Sequence, residues 1–264
     1  MANQARAVLE NALRARQLDR TLTTALPPFH HHADASTLTA TGVPALDACL
    51  RGGLPRGQLS EIAGPRSSGR TLLLLQLLAA ATRRGEIAAL VDPCDRLDAA
   101  SAVAAGVDLD RLLWIRGFFR APTSELVERA LKALNLVLQA GGFGVVAIDL
   151  ADVSASALSR MPATTWLRVQ RAIEGSETAC VIVGAQPLAR SARGVTLSLA
   201  GRPRWDASHA PRLTGVDVSV RIVSPRRIVD GDVAFSASTS DSPLHGPQRH
   251  GGTEEETKCF SVPL

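Results

Sequence analysis

The chain has 264 residues, and with 45% of them hydrophobic it can bury one large core or two small ones. Only 3% are aromatic and none is tyrosine, which argues against a protein that holds single-stranded nucleic acid by stacking bases on aromatic side chains. The net charge of +4 permits contact with an acidic partner without requiring it, and a basic chain from an arginine-rich, alanine-rich proteome would look the same.

The cysteines and the apolar runs favour a cytoplasmic location. Cys49, Cys94, Cys180 and Cys259 form no C-x-x-C pair, so the sequence predicts neither a zinc site nor a disulfide framework. No secretory signal is recognisable, and the longest apolar run, 71–81, is shorter than the roughly 18 residues that a membrane span needs. We therefore expect a cytoplasmic protein without membrane contact.

Residues 1–35 are predicted to form an N-terminal helix and a linker. Apolar residues recur at helical spacing within 3–19, and Pro27 and Pro28 then break the pattern. The helix is either an arm that packs on a neighbouring subunit or partner, or a helix that packs on its own core or stays in solvent. Its stripe of alanine and leucine favours the arm. The histidines at 30–32 are typical of an exposed linker, with metal binding as the alternative.

Residues 36–235 are predicted to form an α/β core. Short apolar strands alternate with helical patterns, which indicates a mostly parallel central sheet flanked by helices. From about residue 195 the helices stop, and the last strands are predicted to be antiparallel additions at the C-terminal edge of the sheet. The predicted strands are 59–63, 87–92, 112–115, 145–149, 179–184, 195–200, 216–223 and 226–234, and the predicted helices are 70–84, 96–105, 124–139 and 163–174. Residues 236–264 turn polar and are predicted to be a disordered tail, whose more apolar end could dock on a partner.

A phosphate-binding loop is predicted between the strand 59–63 and the helix that follows it. Its spacing is that of the motif G-x-x-x-x-G-K-[ST], with Arg70 in place of the lysine. Backbone N–H groups of such a loop point inward and the helix N-terminus adds positive charge, so phosphate is favoured. ATP with Mg²⁺ is the candidate ligand, and the Thr71 hydroxyl is a candidate Mg²⁺ ligand. The candidate nucleotide-binding residues of the loop are Gly64, Ser67, Ser68, Gly69, Arg70 and Thr71.

The segments around this loop carry further motifs. TGVPALD at 41–47 and GGLPRGQLSEI at 52–62 precede the loop, and ALVDPCDRLD at 89–98, GVDLDRLL at 106–113 and VVAID at 145–149 follow it. In this order they resemble the ATPase core of the RecA recombinases, from about residue 39 to residue 233. The resemblance implies a RecA-like P-loop core in which Asp149 is the Walker B carboxylate and pairs with Thr71 on Mg²⁺, and in which Gln186 senses the nucleotide. Without the resemblance, Asp149 is a strand-end aspartate that caps the next turn.

Two departures from the RecA pattern predict that hydrolysis is lost. Arg70 replaces the loop lysine, and a wide planar guanidinium does not substitute for a compact ammonium between two phosphates. Cys94 stands where the family has the glutamate that positions the attacking water, and a thiol is not a base for that water. Loss of both groups is expected to slow hydrolysis by several orders of magnitude. We therefore predict no catalytic residue, with Cys94 marking a lost catalytic position.

The segments expected to contact DNA also differ from those of recombinases. The loop after Gln186, residues 187–194, is short, although Arg190 and Arg193 make it basic and are the candidate DNA-binding residues. The chain is also expected to lack the family's small C-terminal domain. These features argue against filament formation and strand exchange, and they leave weak, salt-sensitive and sequence-independent DNA binding as the expectation.

A RecA-type core of this length with eroded chemistry resembles the ImuA proteins, RecA-like proteins associated with bacterial error-prone lesion bypass. The resemblance implies a non-hydrolysing adaptor of the SOS response and translesion DNA synthesis, in the cytoplasm and associated with the nucleoid. Its implied partners are an ImuB-type inactive Y-family polymerase and RecA, and indirectly a DnaE-type polymerase and the sliding clamp. Two alternatives remain: a DNA-dependent ATPase or recombinase that tolerates Arg70, and a regulator that senses nucleotide without turnover, which retained Thr71, Asp149 and Gln186 support.

Overall fold

The computed structural model of the chain describes residues 37–117, 123–162, 164–189, 193–206, 212–224, 232–238 and 261–263. The chain divides into two units, 1–34 and 35–264. The predicted N-terminal helix, the break at Pro27 and Pro28 and the histidines at 30–32 fall in the first unit and lie outside the described residues.

The described part of the second unit contains eleven strands and six α-helices. The strands are β1 (Leu38–Thr39), β2 (Leu54–Pro55), β3 (Leu59–Ala63), β4 (Ile87–Asp92), β5 (Leu112–Arg116), β6 (Phe143–Asp149), β7 (Ala179–Gly184), β8 (Thr196–Trp205), β9 (Leu213–Ser224), β10 (Asp232–Ser238) and β11 (Ser261–Pro263). The helices are α1 (Pro44–Cys49), α2 (Arg70–Arg83), α3 (Ala99–Ala104), α4 (Thr123–Ala140), α5 (Ala155–Ser159) and α6 (Thr164–Ile173).

The main sheet has the described strands in the order β10-β9-β8-β3-β7-β6-β4-β5-β11. From β8 to β11 all neighbours in this order are parallel, and β8, β9 and β10 pair antiparallel to one another. β1 and β2 form a separate small antiparallel pair. The predicted α/β fold, with a mostly parallel sheet and antiparallel strands at the C-terminal edge, is therefore confirmed.

The core lies on both faces of this sheet, because the central strands are apolar along their whole length. Ala147 of β6 belongs to a buried cluster with Leu77 of α2. Its neighbour Ile148 belongs to a second buried cluster, with Leu134 of α4 and Val169 of α6. Successive side chains of a strand point to opposite faces, so each central strand contributes to both clusters.

The carboxyl ends of the central parallel strands meet at one edge of the sheet. The register aligns Ala63 of β3 with Gly184 of β7, and Val91 of β4 with Ile148 of β6. The segments that follow these strands therefore converge, and such an edge is where open α/β sheets bind their ligands.

The C-terminal strands differ from their predicted bounds. β8 continues to Trp205 and β9 begins at Leu213, because the two strands pair in register along polar sequence that carries no apolar alternation. β10 spans Asp232–Ser238 instead of 226–234, so it runs past the predicted end of the core at 235.

The predicted disordered tail, 236–264, also contains a short strand. Ser261–Pro263 form β11, which pairs in parallel with Trp114–Arg116 of β5, while residues 239–260 lie outside the described ranges. β5 would otherwise present a row of backbone donors and acceptors at the sheet edge, and β11 satisfies part of that row. None of the helices that the structure describes is long and apolar enough to cross a lipid bilayer.

Candidate functional site

The predicted phosphate loop connects β3 to α2 and requires both of its glycines. Gly69 has φ 90°, and a Cβ there would lie 2.4 Å from Cγ2 of Val218 on β9. A Cβ on Gly64 would lie 2.4 Å from Oγ of Ser68 and 2.8 Å from the carbonyl oxygen of Leu199 on β8. Glycine is needed at both positions because β8 and β9 pack against the loop.

Arg70 is folded into the loop. Its side chain is only 8% exposed, and Nη1 donates a 2.6 Å hydrogen bond to the carbonyl oxygen of Gly64. Nη2 lies 3.8 Å from Oδ1 of Asp152. The guanidinium is thus held by the first residue of the loop and by a carboxylate that follows β6. A charged donor on a carbonyl is a strong, directional contact, so this arginine has a fixed place in the site.

The loop side chains line a cavity of about 570 Å³. Ser67 and Thr71 are exposed there, and Ser67 adopts φ 60°, which turns the backbone inward. Ser68 is 1% exposed, and within the described protein its Oγ has no hydrogen-bond partner. The cavity is lined by residues 66–72 together with Arg96, Asp152 and Val216.

Asp149, the predicted Walker B carboxylate, ends β6 and is half-buried. Oδ1 accepts a 2.9 Å hydrogen bond from the backbone N–H of Ala151, so one oxygen caps the next turn as the alternative interpretation of the sequence predicted. Burial is the main reason that the pKa of Asp149 is raised to about 6; the negative charges of Asp92 and Asp152 contribute to the rise, while the hydrogen bond from Ala151 and the charge of Arg70 oppose it. At neutral pH the group is mostly ionised, so its carboxylate can serve a cation.

Cys94 lies in the segment after β4 and is partly buried. Burial raises the pKa of its thiol to about 11, and the carboxylates of Asp92, Asp149 and Asp152 add to the rise. The thiol therefore stays protonated at physiological pH and cannot accept a proton from water. Cys94 thus lies within electrostatic reach of three carboxylates, and the loss of a catalytic base there stays a prediction.

The turn that carries Cys94 is nevertheless well held. Oδ2 of Asp92 accepts hydrogen bonds from the backbone N–H groups of Arg96 and Leu97 at 2.7 and 2.8 Å, and from Nε1 of Trp114 at 3.2 Å. Asp95 has φ 51° and receives a two-pronged ion pair from Arg116 at 2.7 and 2.8 Å. Hydrogen bonds and an ion pair therefore hold the backbone on both sides of Cys94.

Gln186 is exposed just beyond the end of β7. The residues after it are tied to β3, because the buried carboxylate of Glu61 accepts hydrogen bonds from the backbone N–H groups of Leu188 and Ala189 at 2.5 and 3.0 Å. Of the candidate DNA-binding residues, Arg190 lies outside the described residues. Arg193 is partly exposed, 3.9 Å from a carboxylate oxygen of Glu174.

Sequence reasoning missed four side chains that shape this site. Arg66 and Arg96 both reach Asp152, and Glu61 fixes the segment after β7. Arg96 and Asp152 stand in segments that directly follow predicted strands, which is a signal that the sequence offered. Glu61 looks like one more strand residue, and nothing local reveals its partners 127 and 128 residues away.

The described residues fit a bound polyphosphate better than they fit its hydrolysis. The backbone loop, the buried hydroxyl of Ser68 and the arginine side chains can hold phosphate oxygens. Thr71 lines the cavity and Asp149 does not, so their pairing on Mg²⁺ stays a prediction. Cys94 offers no base at the position where the resemblance places one.

Comparisons with known proteins place the chain by sequence. The RecA N-terminal domain family matches residues 26–161. "Protein RecA" of Desulfotalea psychrophila is 37% identical over 117 residues, which cover 44% of this chain and 31% of that protein. "Protein RecA" of Rubrobacter xylanophilus is 42% identical over 111 residues, which cover 42% of this chain and 30% of that protein. "Protein RecA" of Chlorobium chlorochromatii is 33% identical over 159 residues, which cover 54% of this chain and 43% of that protein. The chain thus spans less than half the length of the curated relatives it matches.

Proposed function

This chain belongs to the RecA N-terminal domain family, and we propose that it acts there as a non-hydrolysing adaptor in the DNA-damage response and error-prone translesion synthesis. The observation that carries the proposal is the state of the reaction centre. The phosphate loop keeps its backbone form, while the position expected to activate water carries a thiol whose pKa is about 11.

Hydrolysis of a phosphoanhydride needs a positioned water and stabilisation of the charge that develops on the transferred group. Cys94 is the wrong chemical group to orient water, because a protonated thiol is a poor hydrogen-bond acceptor. Arg70 is engaged by the carbonyl of Gly64 and lies near Asp152, so its charge is already partly neutralised. Both deficits act on the chemical step.

The proposed partners follow from the resemblance to the ImuA proteins. They are an ImuB-type inactive Y-family polymerase and RecA, with a DnaE-type polymerase and the sliding clamp as indirect partners. The region that matches RecA spans the phosphate loop and the acidic segments, so an adaptor role would use the family fold as a scaffold for protein contacts.

A steady-state ATPase assay with and without single-stranded DNA tests the proposal. We expect no DNA-stimulated turnover from the purified full chain. Turnover that disappears in the Asp149→Ala variant would show that this site hydrolyses ATP and would overturn the proposal. Capture of an ImuB-type protein or RecA from cells with damaged DNA would support the adaptor role, and a chain that captures neither would contradict it.

A second candidate function is a regulator that senses nucleotide without turnover. It is favoured by the buried hydroxyl of Ser68, which lines the loop cavity without a partner inside the described protein. A calorimetric titration with Mg²⁺ and a non-hydrolysable ATP analogue separates the two. Saturable binding lost in Ser68→Val favours the sensor, and absence of binding favours the pure adaptor.

A further inference from the structure

Three arginines from three separate segments converge on one carboxylate in the loop cavity. Arg66 comes from the phosphate loop, Arg70 from the first turn of α2, and Arg96 from the segment after β4. Arg66 and Arg70 lie 3.3 and 3.8 Å from Oδ1 of Asp152, and Nε of Arg96 lies 2.9 Å from Oδ2. Both oxygens of Asp152 are therefore occupied by guanidinium groups.

The cavity holds more positive than negative charge. Among its lining residues, the three arginines face the single carboxylate of Asp152, which leaves a formal charge of +2. Asp92 and Asp149 influence the site electrostatically but do not line the cavity. A cavity with this excess suits a ligand with several negative charges, and planar guanidinium groups are matched to phosphate oxygens.

A second observation also points to a ligand. Ser68 lines the same cavity, and its buried Oγ has no hydrogen-bond partner within the described protein. Leaving a buried hydroxyl unpaired is costly, and such groups in native proteins usually meet a ligand or water. A phosphate oxygen in the cavity would give this hydroxyl its acceptor.

We propose that Asp152 is a tethered competitor for the polyphosphate that this cavity binds: its carboxylate holds Arg66, Arg70 and Arg96 until a ligand phosphate displaces it. A carboxylate and a phosphate both accept hydrogen bonds from guanidinium N–H groups, so the two compete for Arg66, Arg70 and Arg96. Asp152 has two oxygens and one charge. A polyphosphate offers more oxygens and more charge, and can replace it at every arginine.

The ion pairs of Asp152 lower the apparent affinity of the cavity for a phosphate ligand. A ligand must break the ion pairs to Asp152 and then tolerate the displaced carboxylate nearby, which lowers its apparent affinity. The inference rests on the second candidate function, the nucleotide sensor, because it treats the loop as a phosphate site that does not consume its ligand.

Calorimetric titration of the full chain with inorganic pyrophosphate, without Mg²⁺, tests the inference. We expect Asp152→Asn to bind pyrophosphate about tenfold or more tightly than the wild type, since it removes a competing anion at ion-pair distance. Asp95→Asn is the matched control. It makes the same change in net charge in the neighbouring turn, but its ion pair is with Arg116, away from the cavity lining. Asparagine also tolerates the positive φ of residue 95.

Two further variants make the outcome decisive. Arg96→Gln introduced into Asp152→Asn should reverse the gain, because it removes one of the released arginines. Asp152→Ser should reproduce the gain, and it replaces Asp152→Asn if thermal melting shows that the asparagine variant is misfolded.

Affinity in the Asp152 variants equal to or weaker than that of Asp95→Asn would overturn the inference. ATP turnover by the wild type would contradict the non-hydrolysing role but would leave the pyrophosphate comparison unaffected. Failure of the proposed function and failure of this inference are therefore distinguishable.

Discussion

The loop after β3 and the turn after β4 border the same site but are held in different ways: the loop by its glycines and the turn by a buried carboxylate. In the phosphate loop, the working groups are backbone N–H groups, and Gly64 and Gly69 preserve the backbone path through close contacts with β8 and β9. In the turn after β4, Asp92 preserves the backbone path equally well, yet the side chain presented there is the thiol of Cys94. A site built from backbone groups depends on the fold, whereas a site built from one side chain depends on the residue at that position.

The largest expected effect comes from disturbing the backbone of the phosphate loop. Gly69→Ala places a Cβ 2.4 Å from Cγ2 of Val218 at φ 90°, and we expect a loss of roughly 2 to 4 kcal/mol in the free energy of unfolding. Urea unfolding measures it. Gly85→Ala is the control, since Gly85 has φ 82° but nothing within 4 Å of its added Cβ, and it should cost only about 1 kcal/mol. Equal losses in the two variants would show that contact with β9 does not constrain the loop.

The next effect concerns the thiol in the turn after β4. Burial and nearby carboxylates raise the pKa of Cys94 from 9.0 to about 11, so at pH 8 its thiolate fraction should be about a hundredfold smaller than that of an ordinary thiol. Alkylation of Cys94 by iodoacetamide, followed peptide by peptide with mass spectrometry, should be at least about tenfold slower in the folded chain than in urea. Its rate should still rise between pH 9 and about pH 10. Fast alkylation at pH 7 would mean that the thiol is available as a base after all.

A smaller effect is expected at Asp149. Its pKa is 3.8 in the unfolded chain and about 6 in the folded one, so between these values the native state binds more protons. Stability therefore falls as pH rises through this window, and the loss is complete above about pH 6. Asp149→Asn, which retains an oxygen for the N–H of Ala151, should stabilise the protein at pH 7 by roughly 1 to 3 kcal/mol. Thermal melting at pH 7 and pH 4 checks this, and a stabilisation that is the same at both values would contradict it.

The smallest effect is expected for DNA, through the hairpin that packs on the phosphate loop. Arg202 is exposed on β8, beside Gly201, whose added Cβ would lie 2.1 Å from the carbonyl oxygen of Ser67. We expect weak, sequence-independent binding, and Arg202→Gln should reduce the slope of log affinity against log salt by about one. Fluorescence anisotropy over a salt series measures the slope. Arg129→Gln on α4, an exposed arginine paired with Glu125, is the control and should leave the slope unchanged. Binding that withstands high salt would argue for a more specific contact.

The fold was largely predictable because its central strands are short apolar runs with sharp ends. β3, β4 and β7 have the predicted bounds to the residue, since polar residues or glycine flank each run. The six-residue helix α1 was missed because it is too short for a helical period to be recognised. The predicted strand corresponding to β8 ended too early, at residue 200, because Gly201 and Pro203 are typical of a loop. In the structure, pairing with β9 continues through both residues.

The candidate site was predictable only where a local pattern encodes it. The spacing of the phosphate loop and the end of β6 identified the loop residues and Asp149. The ion pairs of Asp152 join positions separated in sequence by 56 to 86 residues, as the contacts with Arg96 and Arg66 show, and no local pattern records such pairs. The fold had to bring them together before their relation could be recognised.

The position of β3 in the sheet has a consequence for the order in which the protein assembles. β3 carries the phosphate loop and lies early in the sequence, but its strand partners are β7 and β8, which begin at residues 179 and 196. A ribosome must therefore synthesise more than half of the chain before β3 has a neighbour to pair with. A fragment limited to residues 26–161, the region that matches the RecA family, would contain the loop and leave its strand without either partner. Pairing over such sequence separations is intrinsically slow, so the edge that carries the phosphate loop should be among the last parts of the molecule to acquire its final form.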